Sequence, residues 1–370
     1  MDLLIIAGNA RSLIANRGDL VKDMQAQALV VAAAVPTADY LPEVEELGIK
    51  IFPIEMGRTG INPLHDLKTL WSLYRLIRRL KPKATFGYTI KPVVYGSLAA
   101  KAAGVPRIYS MITGLGHVFT TNSAKNRRLM KVVSLLYRAG LACNNKVFFQ
   151  NPDDLQEFTE RGILRDKAKA VRTYGSGVDI QRFPATPLPE GELTFLFIGR
   201  LLTEKGIAEF CKAAVQLRAE HPAVRFIAVG PHDPNLPHSC AAEDLQRWKE
   251  EGGVEFIGGV ADVRPWIAQC SVFVLPSYRE GTPRSVLEAM SMRRPIITSD
   301  APGCRETVED GVNGFLVAPR TSAPLLEAMR KFVEQPTLVP QMAEASRTLV
   351  ERHYDVRKVN KVILEAMELA

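Results

Sequence analysis

Short apolar runs alternate with longer amphipathic stretches through the first half of the 370-residue chain. The apolar runs have the length and composition of buried strands, and the stretches between them repeat apolar residues at helical spacing. This order predicts parallel βαβ units. The predicted strands are 3–7, 28–34, 50–54, 84–87, 107–111 and 146–149, and the predicted helices include 64–80, 93–103, 126–139 and 153–161.

A proline-rich segment interrupts this alternation near the middle of the chain. Residues 183–191 contain three prolines and one glycine, a composition typical of a linker. The alternation then restarts, with strands predicted at 193–198, 225–229, 254–257, 272–275, 295–298 and 314–317 and helices at 207–219, 243–251, 284–292 and 324–335. We therefore predict an α/β protein with two doubly wound, Rossmann-like domains.

The linker sets the predicted domain limits. The first domain is 1–183, the linker 184–191 and the second domain 192–352. The remaining segment, 353–370, is predicted to be helical and to cross back to the first domain. Ligands of such sheets lie beyond the carboxyl ends of the strands, so the cleft between the two facing domains is the expected active site.

Charge is distributed unevenly along the chain. The net charge of +7 combines +11 in residues 1–178, from 25 Lys and Arg against 14 Asp and Glu, with −4 in the remainder. Residues 67–152 contain 15 Lys and Arg and no Asp or Glu. A basic stretch of this length usually faces an anionic partner such as nucleic acid, a phosphorylated substrate or a lipid surface.

Cysteine spacing and apolar run length argue against an extracellular or membrane-spanning protein. The five cysteines have neither zinc-site spacing nor the density of a disulfide scaffold. The longest apolar run, 28–36, falls short of the roughly 20 residues of a membrane helix. The opening MDLLIIAGNA lacks the pattern of a secretory signal, so we expect a cytoplasmic protein.

The loop after the first strand of the second domain carries candidate phosphate ligands. It runs from Gly199 to Gly206 and leads into a helix. Its glycine permits close backbone approach, while Arg200, Lys205 and a helix N-terminus supply positive potential for a diphosphate. An ordinary solvated loop is the competing interpretation.

Two glutamates bracket a turn and the start of a helix in the stretch EGTPRSVLE, residues 280–288. Thr282 is a candidate N-cap and Pro283 suits the first helical position, which places Glu280 in the loop and Glu288 on the second helical turn. An ionised carboxylate accepts hydrogen bonds from vicinal hydroxyls. For either glutamate taken singly, an ordinary surface residue is the favoured interpretation.

The combination of these motifs resembles the retaining glycosyltransferases of family 4, which have the GT-B fold. The resemblance rests on 199–206, on 280–288, on APGCRE at 301–306 and on DGVNGFLV at 310–317. It implies that Arg200 and Lys205 hold the donor diphosphate and stabilise the charge that develops on it. It also implies that Glu280 contacts the transferred sugar and Glu288 the ribose, with Gly199, Gly281, Thr282 and Leu287 completing the donor site.

No Asp-x-Asp triplet occurs in the chain, which argues against the transferases that hold a divalent ion with one. We predict no metal site and no cofactor, since the nucleotide-sugar is a co-substrate.

Loops of the first domain supply candidate acceptor ligands. Gly8 and Asn9 follow the first strand, Lys91 follows the fourth, and Gly114, Gly116 and His117 follow the fifth. The surrounding sequences resemble those of enzymes that extend glycans on undecaprenyl diphosphate for bacterial polysaccharides, including lipopolysaccharide. That resemblance implies acceptor contacts by these residues, a catalytic contact by His117, and a diphosphate contact by Lys91 and, less directly, Arg17.

These inferences predict a metal-independent, retaining hexosyltransferase. Its expected substrates are a nucleotide-sugar, which we expect to be a UDP-sugar, and a polyprenyl-diphosphate-linked acceptor. The basic segments 73–81 and 125–131 mix cations with apolar residues and predict peripheral binding to the anionic inner face of the cell membrane. A GT-B transferase with a soluble acceptor and a sugar-nucleotide epimerase remain alternatives. A non-catalytic membrane- or nucleic-acid-binding protein is an alternative of another class, although no nucleic-acid motif is visible.

Overall fold

The computed structural model describes residues 1–36, 42–57, 62–115, 124–236 and 238–369. These residues form two compact units, one of 1–176 together with 356–370 and one of 177–355. Each unit is built on a parallel β-sheet, which confirms the prediction of two parallel α/β domains.

The first unit contains a seven-stranded sheet in the order β3-β2-β1-β4-β5-β6-β7. Both faces of β1 are buried, as expected for a strand that helices cover on each side. The strands are β1 (Leu3–Ala7), β2 (Val31–Pro36), β3 (Lys50–Ile54), β4 (Ala84–Tyr88), β5 (Arg107–Ile112), β6 (Lys146–Phe149) and β7 (Ala170–Arg172). The helices are α1 (Ala10–Ala26), α2 (Pro42–Glu45), α3 (Pro63–Leu80), α4 (Ser97–Ala102), α5 (Ala124–Ala142), α6 (Pro152–Glu160) and, from the end of the chain, α13 (Val356–Met367).

Local sequence explains several helix starts in this unit. Asn151 caps α6 by accepting a hydrogen bond from the Asp154 amide at 2.8 Å, with Pro152 in the first turn. The predicted helix 93–103 begins instead with a π-helical turn at Pro92–Gly96 and continues as α4.

The last helix, α13, packs on the first unit. Ile363 and Met367 are fully buried in the same core as α1, and the Asn360 side chain donates a hydrogen bond to Asp23 at 2.7 Å. The Tyr109 hydroxyl donates to the Met367 carbonyl. The core of the first unit is therefore assembled from both ends of the chain.

The second unit contains a six-stranded sheet in the order β10-β9-β8-β11-β12-β13. Its strands are β8 (Thr194–Ile198), β9 (Arg225–Val229), β10 (Glu255–Gly258), β11 (Val272–Leu275), β12 (Ile296–Ser299) and β13 (Gly314–Val317). Its helices are α7 (Ile207–Glu220), α8 (Ala242–Glu250), α9 (Arg264–Ala268), α10 (Arg284–Ser291), α11 (Ala323–Glu334) and α12 (Leu338–His353).

The proline-rich segment belongs to the second unit. Arg294, fully buried, donates to the Thr186 and Pro187 carbonyls at 3.2 and 3.0 Å, and the Ser291 hydroxyl donates to the Phe183 carbonyl at 2.6 Å. These bonds hold the segment against α9 and α10. The division between units accordingly falls between 176 and 177, before the predicted linker at 184–191.

Candidate active site

The order of strands in the second unit reverses direction between β8 and β11. The chain proceeds outward from β8 to β9 and β10 on one side, and from β11 to β12 and β13 on the other. Loops that leave the carboxyl ends of two such strands diverge, and the crevice between them is the usual ligand site of an open parallel sheet. The loop 199–206 follows β8 and the loop 276–283 follows β11, so both predicted donor motifs lie at this point.

Gly206 fixes how closely the two loops approach. Its φ is +75°, and a Cβ at this position would lie 2.2 Å from the Pro276 carbonyl oxygen. The Tyr278 amide donates to the Glu204 carbonyl at 2.9 Å, which joins the same two loops. Only glycine fits such a left-handed, crowded position without displacing backbone.

Lys205 and Glu280 form an ion pair between these loops. The Lys205 ammonium donates to Glu280 Oε1, and both side chains are largely buried, with 20% and 14% of their surface exposed. An ammonium has three donors and a carboxylate several acceptor positions, so each group retains capacity to bind a ligand. The structure thus brings together the predicted phosphate ligand and the predicted sugar ligand.

Glu280 is also held through its backbone. Its amide donates to the Pro302 carbonyl at 3.0 Å. Gly303, with φ at +79°, lies so close that a Cβ would be 2.1 Å from the Glu280 carbonyl oxygen. The Ala301-Pro302-Gly303 motif after β12 therefore has a local function, because it supports the loop that carries Glu280.

The start of α10 differs from its prediction. Pro283 occupies the N-cap position without a side-chain hydrogen bond, and the first helical residue is Arg284. Thr282 precedes this N-cap, and its hydroxyl donates to the Gly281 carbonyl at 2.9 Å. Proline supplies no amide hydrogen, and an α-helix leaves its first-turn N–H groups without helical acceptors. This end of α10 can therefore favour a phosphate.

Glu288 lies on the second turn of α10, as predicted, and is almost completely buried. Burial raises the pKa of its carboxyl group, and the neighbouring Arg284 guanidinium opposes that rise. Arg284 Nε lies 2.9 Å from Glu288 Oε1. Leu287, predicted to contact the donor, is only 1% exposed. Its side chain therefore packs α10 against the core.

Gly199 and Arg200 begin the loop after β8. The Gly199 amide donates to the Val229 carbonyl at 3.0 Å, which extends the sheet by one residue. The Arg200 side chain is exposed and forms no hydrogen bond or ion pair with the part of the chain that the structure describes. It is available to an anionic ligand.

In the first unit, Gly8 and Asn9 follow β1. The Asn9 side chain accepts a hydrogen bond from the Ser12 amide at 3.3 Å and so caps α1. Arg17 on the same helix is only 2% exposed, donates to the Ser176 hydroxyl at 3.2 Å and stacks on the Tyr88 ring. The expected diphosphate contact of Arg17 is not supported, because its guanidinium is enclosed by its own unit.

Lys91 forms a buried ion pair with Asp66. Lys91 Nζ lies 2.9 Å from Asp66 Oδ1, and the side chains are 14% and 6% exposed. The pKa of the nearby Tyr95 is raised to about 12, mainly by burial and secondly by the Asp66 carboxylate. The ammonium also lies beside Gly57 at the end of β3, where a Cβ would be 3.5 Å from it. Lys91 is thus fixed at the carboxyl ends of β3 and β4.

Gly114 follows β5 with φ at +106°. Gly116 and His117 lie outside the described residues, so their acceptor and catalytic roles stay predictions. Within the described ranges, no three His, Cys, Asp or Glu side chains come together as potential metal ligands.

Three structural partners of the site did not emerge from the sequence. Asp66 pairs with Lys91, Arg284 pairs with Glu288, and Glu209 accepts a hydrogen bond from the Tyr278 hydroxyl at 2.7 Å. Arg284 and Glu288 are four residues apart on one helix, a spacing that could have indicated their contact. The other two pairs connect separate elements and have no such local signal.

Family models match both units. Residues 5–151 match the model described as glycosyl transferase 4-like, and residues 192–335 match the model described as glycosyl transferases group 1. Together these matches cover most of the chain.

Two curated relatives align with nearly the whole chain. An N,N'-diacetylbacillosaminyl-diphospho-undecaprenol alpha-1,3-N-acetylgalactosaminyltransferase of Campylobacter jejuni is 27% identical over 337 residues, which cover 88% of this chain and 86% of that protein. A UDP-Gal:alpha-D-GlcNAc-diphosphoundecaprenol alpha-1,3-galactosyltransferase of Escherichia coli is 24% identical over 348 residues, which cover 90% and 87%.

Solved structures share the fold at lower identity. Anabaena HepE in complex with UDP superposes with a TM-score of 0.78 at 19% identity, over 100% of both chains. Sucrose-phosphate synthase from Thermosynechococcus elongatus gives a TM-score of 0.82 at 17% identity, over 100% of this chain and 98% of that one. The predicted fold class is confirmed, and the chain belongs to the group 1 and 4-like glycosyltransferases of the GT-B fold.

Proposed function

We propose that this glycosyltransferase moves a hexose-type sugar from a UDP-sugar to a hydroxyl of a polyprenyl-diphosphate-linked glycan, with retention of the anomeric configuration. The observation that carries the donor half is the Lys205–Glu280 ion pair at the reversal of strand order, with the buried Glu288 on the helix that follows the Glu280 loop. The relatives that act on undecaprenol-diphosphate-linked substrates support the acceptor half. HepE, solved with UDP, supports the choice of nucleotide.

In the proposed donor site, different side chains bind the diphosphate, the sugar and the ribose. Arg200 and Lys205 bind the diphosphate and offset the negative charge that grows on it as the bond to the sugar breaks. Glu280 binds hydroxyls of the departing sugar, and its contact with Lys205 couples sugar position to phosphate position. Glu288 accepts hydrogen bonds from the ribose.

Retention requires attack from the face that the diphosphate leaves. In our proposal the bond between the anomeric carbon and the β-phosphate oxygen breaks, and its electron pair stays on the phosphate. The acceptor hydroxyl oxygen then bonds to the anomeric carbon and its proton passes to the phosphate oxygen. No side-chain base is needed, and His117 contacts the sugar or its developing charge.

Acceptor binding is assigned to the first unit. Lys91 lies at the carboxyl ends of strands in this unit, and the buried Asp66 carboxylate orients its ammonium. That ammonium supplies positive charge for a diphosphate. Gly8, Gly114 and Gly116 allow a ligand to approach the neighbouring backbone.

An exposed apolar surface on α3, together with exposed residues on α5, supports binding to an anionic membrane. Leu64, Leu67 and Trp71 on α3 are 76%, 63% and 59% exposed, and Val132 and Leu135 on α5 are also exposed. Exposed cations accompany them, including Lys68, Arg75, Arg78, Arg128 and Lys131. Apolar residues bordered by cations are typical of interfacial helices.

This surface differs from the predicted one in its position on α3. The predicted segment 73–81 contributes mainly cations, because Leu73, Leu76 and Ile77 are buried in the core. The apolar contact comes instead from the first half of the helix. No described helix is long and apolar enough to cross a bilayer. The exposed apolar residues and cations support our proposal of peripheral binding at the cytoplasmic face.

Flotation with vesicles tests the membrane surface. Replacement of Leu64, Leu67 and Trp71 by serine should abolish flotation with anionic vesicles at low salt, while the exposed Val362→Ser on α13 should leave it unchanged. Equal flotation of both variants, or none by the unchanged protein, would exclude this surface.

Turnover tests the reaction itself. UDP release should require both a UDP-sugar and a polyprenyl-diphosphate-linked acceptor, persist in the presence of a chelator, and give a product with the donor's anomeric configuration by NMR. Inverted product, or activity that a chelator abolishes and magnesium or manganese restores, would contradict the mechanism. Release of UDP to a soluble sugar alone would favour the alternative transferase with a soluble acceptor.

A further inference from the structure

Arg284 occupies a position that the sequence motif leaves unassigned. We propose that Arg284 is a positioning residue of the donor site, which holds the Glu288 carboxylate oriented and ionised to accept hydrogen bonds from the ribose hydroxyls of the nucleotide. This inference rests on the proposed donor function of Glu288. It assigns to Arg284 an effect that acts through Glu288 and not through direct contact with the nucleotide.

The geometry leaves one carboxylate oxygen for a ligand. Arg284 Nε lies 2.9 Å from Glu288 Oε1, one helical turn along α10. Glu288 Oε2 forms no hydrogen bond with any residue that the structure describes. The Glu288 side chain is 11% exposed and that of Arg284 29%, so the pair is shielded from water but open on one side. A carboxylate held by one oxygen has a fixed orientation for the other.

The charges around Glu288 make Arg284 the principal counter-ion. Three charged groups act on this carboxyl: Arg284 from α10 itself, Arg182 from the segment before β8, and Asp262 from the loop before α9. Burial raises the pKa of Glu288, Asp262 reinforces that rise, and the two arginines oppose it. Arg284 is the one in direct contact.

The start of α10 is fixed independently of this pair. The Ser285 hydroxyl donates to the Ile198 carbonyl at the end of β8, at 3.1 Å, and Leu287 anchors the buried face of the helix. Loss of the Arg284 side chain should therefore leave α10 in place. The expected defect is confined to the orientation and ionisation of Glu288.

The sign of the pH effect follows from the direction of the pKa. Without Arg284 the pKa of Glu288 rises further, so the carboxyl becomes protonated at a higher pH than in the unchanged protein. A protonated carboxyl is a poorer acceptor for ribose hydroxyls. Nucleotide binding by Arg284→Met should therefore be weak at low pH and recover as the pH increases, whereas the unchanged protein should vary much less.

Calorimetric titration of the full chain with UDP tests this inference. We expect Arg284→Met to bind UDP about tenfold more weakly than the unchanged protein at the low-pH end of the range in which the protein stays folded, the order of effect of losing hydrogen bonds to a charged acceptor, and nearly normally at the high-pH end. Glu288→Gln should bind weakly at both pH values, and Arg284→Lys should restore most of the normal profile. Each variant is compared with the unchanged protein at the same pH, which removes the titration of UDP itself.

The outcomes separate this inference from the proposed function. Uniformly weak binding by Arg284→Met at both pH values would overturn it in favour of a direct phosphate contact, and normal binding at both would overturn it outright. Normal UDP binding by Glu288→Gln, or none by the unchanged protein, would contradict the donor site itself and with it the role of Arg284. If Arg284→Met does not fold, a normal pH profile for Arg284→Lys supports the inference, and a uniform loss overturns it.

Discussion

Lys205 and Glu280 are separated by 75 positions in the chain, yet their side chains form an ion pair that joins the loops after β8 and β11. The pair exists because these two strands are neighbours in the parallel sheet. It unites a cation suited to phosphate with a carboxylate suited to sugar hydroxyls. In the proposed mechanism this contact is a form of preorganisation, since each group already orients the other when the donor binds.

Replacement of either member of this pair should impair turnover. Lys205→Met is expected to lower kcat by about 10²–10³-fold, the typical effect of removing one preorganised donor to a developing charge. Glu280→Gln should be similarly impaired, and the double variant should lose less than the product of the two single effects, because the side chains act together. Steady-state kinetics measures all three.

The control for these variants is an exposed ion pair in the same unit. Arg225 and Glu255 lie 3.2 Å apart with about half of each side chain exposed. Arg225→Met should leave kcat unchanged. Fully multiplicative losses in the Lys205 and Glu280 double variant would show that the observed contact has no bearing on turnover.

Asp66 should affect the acceptor and not the donor. Asp66→Asn weakens the ion pair that fixes Lys91, so we expect the KM for the lipid acceptor to rise by about tenfold or more, since hydrogen bonds to charged groups contribute about 1.5–3 kcal/mol. The KM for the nucleotide-sugar should stay unchanged. Lys91→Met should show the same selectivity.

Lys83 and Asp2 provide the comparison for Asp66. Their ion pair is in the same unit, but the Lys83 side chain is 74% exposed. Lys83→Met should alter neither KM. If Asp66→Asn raised the KM for the donor and left the KM for the acceptor normal, the assignment of Lys91 to the acceptor site would be wrong.

Gly206 should not tolerate a side chain. Gly206→Ala has a left-handed backbone cost of about 1–2 kcal/mol, and its Cβ would also clash with the Pro276 carbonyl. Gly311 has a similar φ of +77° with nothing within 4 Å of a Cβ. Gly311→Ala should therefore show the backbone cost alone. Urea unfolding should rank Gly206→Ala as clearly less stable, and equal losses would mean that the two loops separate readily.

Arg294 should be important for the second unit although it is remote from the donor side chains. Its guanidinium donates to backbone carbonyls of residues 186, 187, 267, 268, 292 and 293. Arg294→Met removes these bonds and leaves buried acceptors unpaired, at about 1–3 kcal/mol for each acceptor that water cannot reach. We expect a lower urea midpoint and faster proteolysis within the proline-rich segment.

The exposed Arg247 is the reference for Arg294. Arg247 pairs with Asp244 on α8 and its side chain is 57% exposed, so Arg247→Met should change the free energy of unfolding by less than about 1 kcal/mol. A normal proteolysis pattern for Arg294→Met would show that other contacts suffice to hold residues 183–191.

Strand positions could be predicted well where an apolar run is sharply bounded. The bounds predicted for 3–7, 50–54, 146–149, 225–229, 272–275 and 314–317 agree with the observed strands. The short edge strand β7 was missed because none of its three residues is buried and they form no apolar run. The prediction for β2 began too early, since Ala28 has a left-handed backbone and Val30 is exposed.

Site residues could be predicted by type more readily than by partner. The sequence identified Lys205, Glu280 and Glu288, because charged residues beside a glycine or a helix start are visible locally. It did not predict the Lys205–Glu280 contact, which depends on the order of strands. It also assigned Thr282 and Leu287 to the site by motif alone, whereas backbone geometry and core packing determine their side-chain positions.

The packing of α13 on the first unit has a consequence for biosynthesis. Residues 1–176 are synthesised first, but they cannot complete their core before 356–370 have been made. The second unit, 177–355, is continuous in sequence, so all of its residues have been synthesised before the first unit is complete. The unit that begins the chain should thus be the last to mature, and premature termination near residue 355 should yield a nascent protein with a folded second unit and an exposed apolar surface on α1.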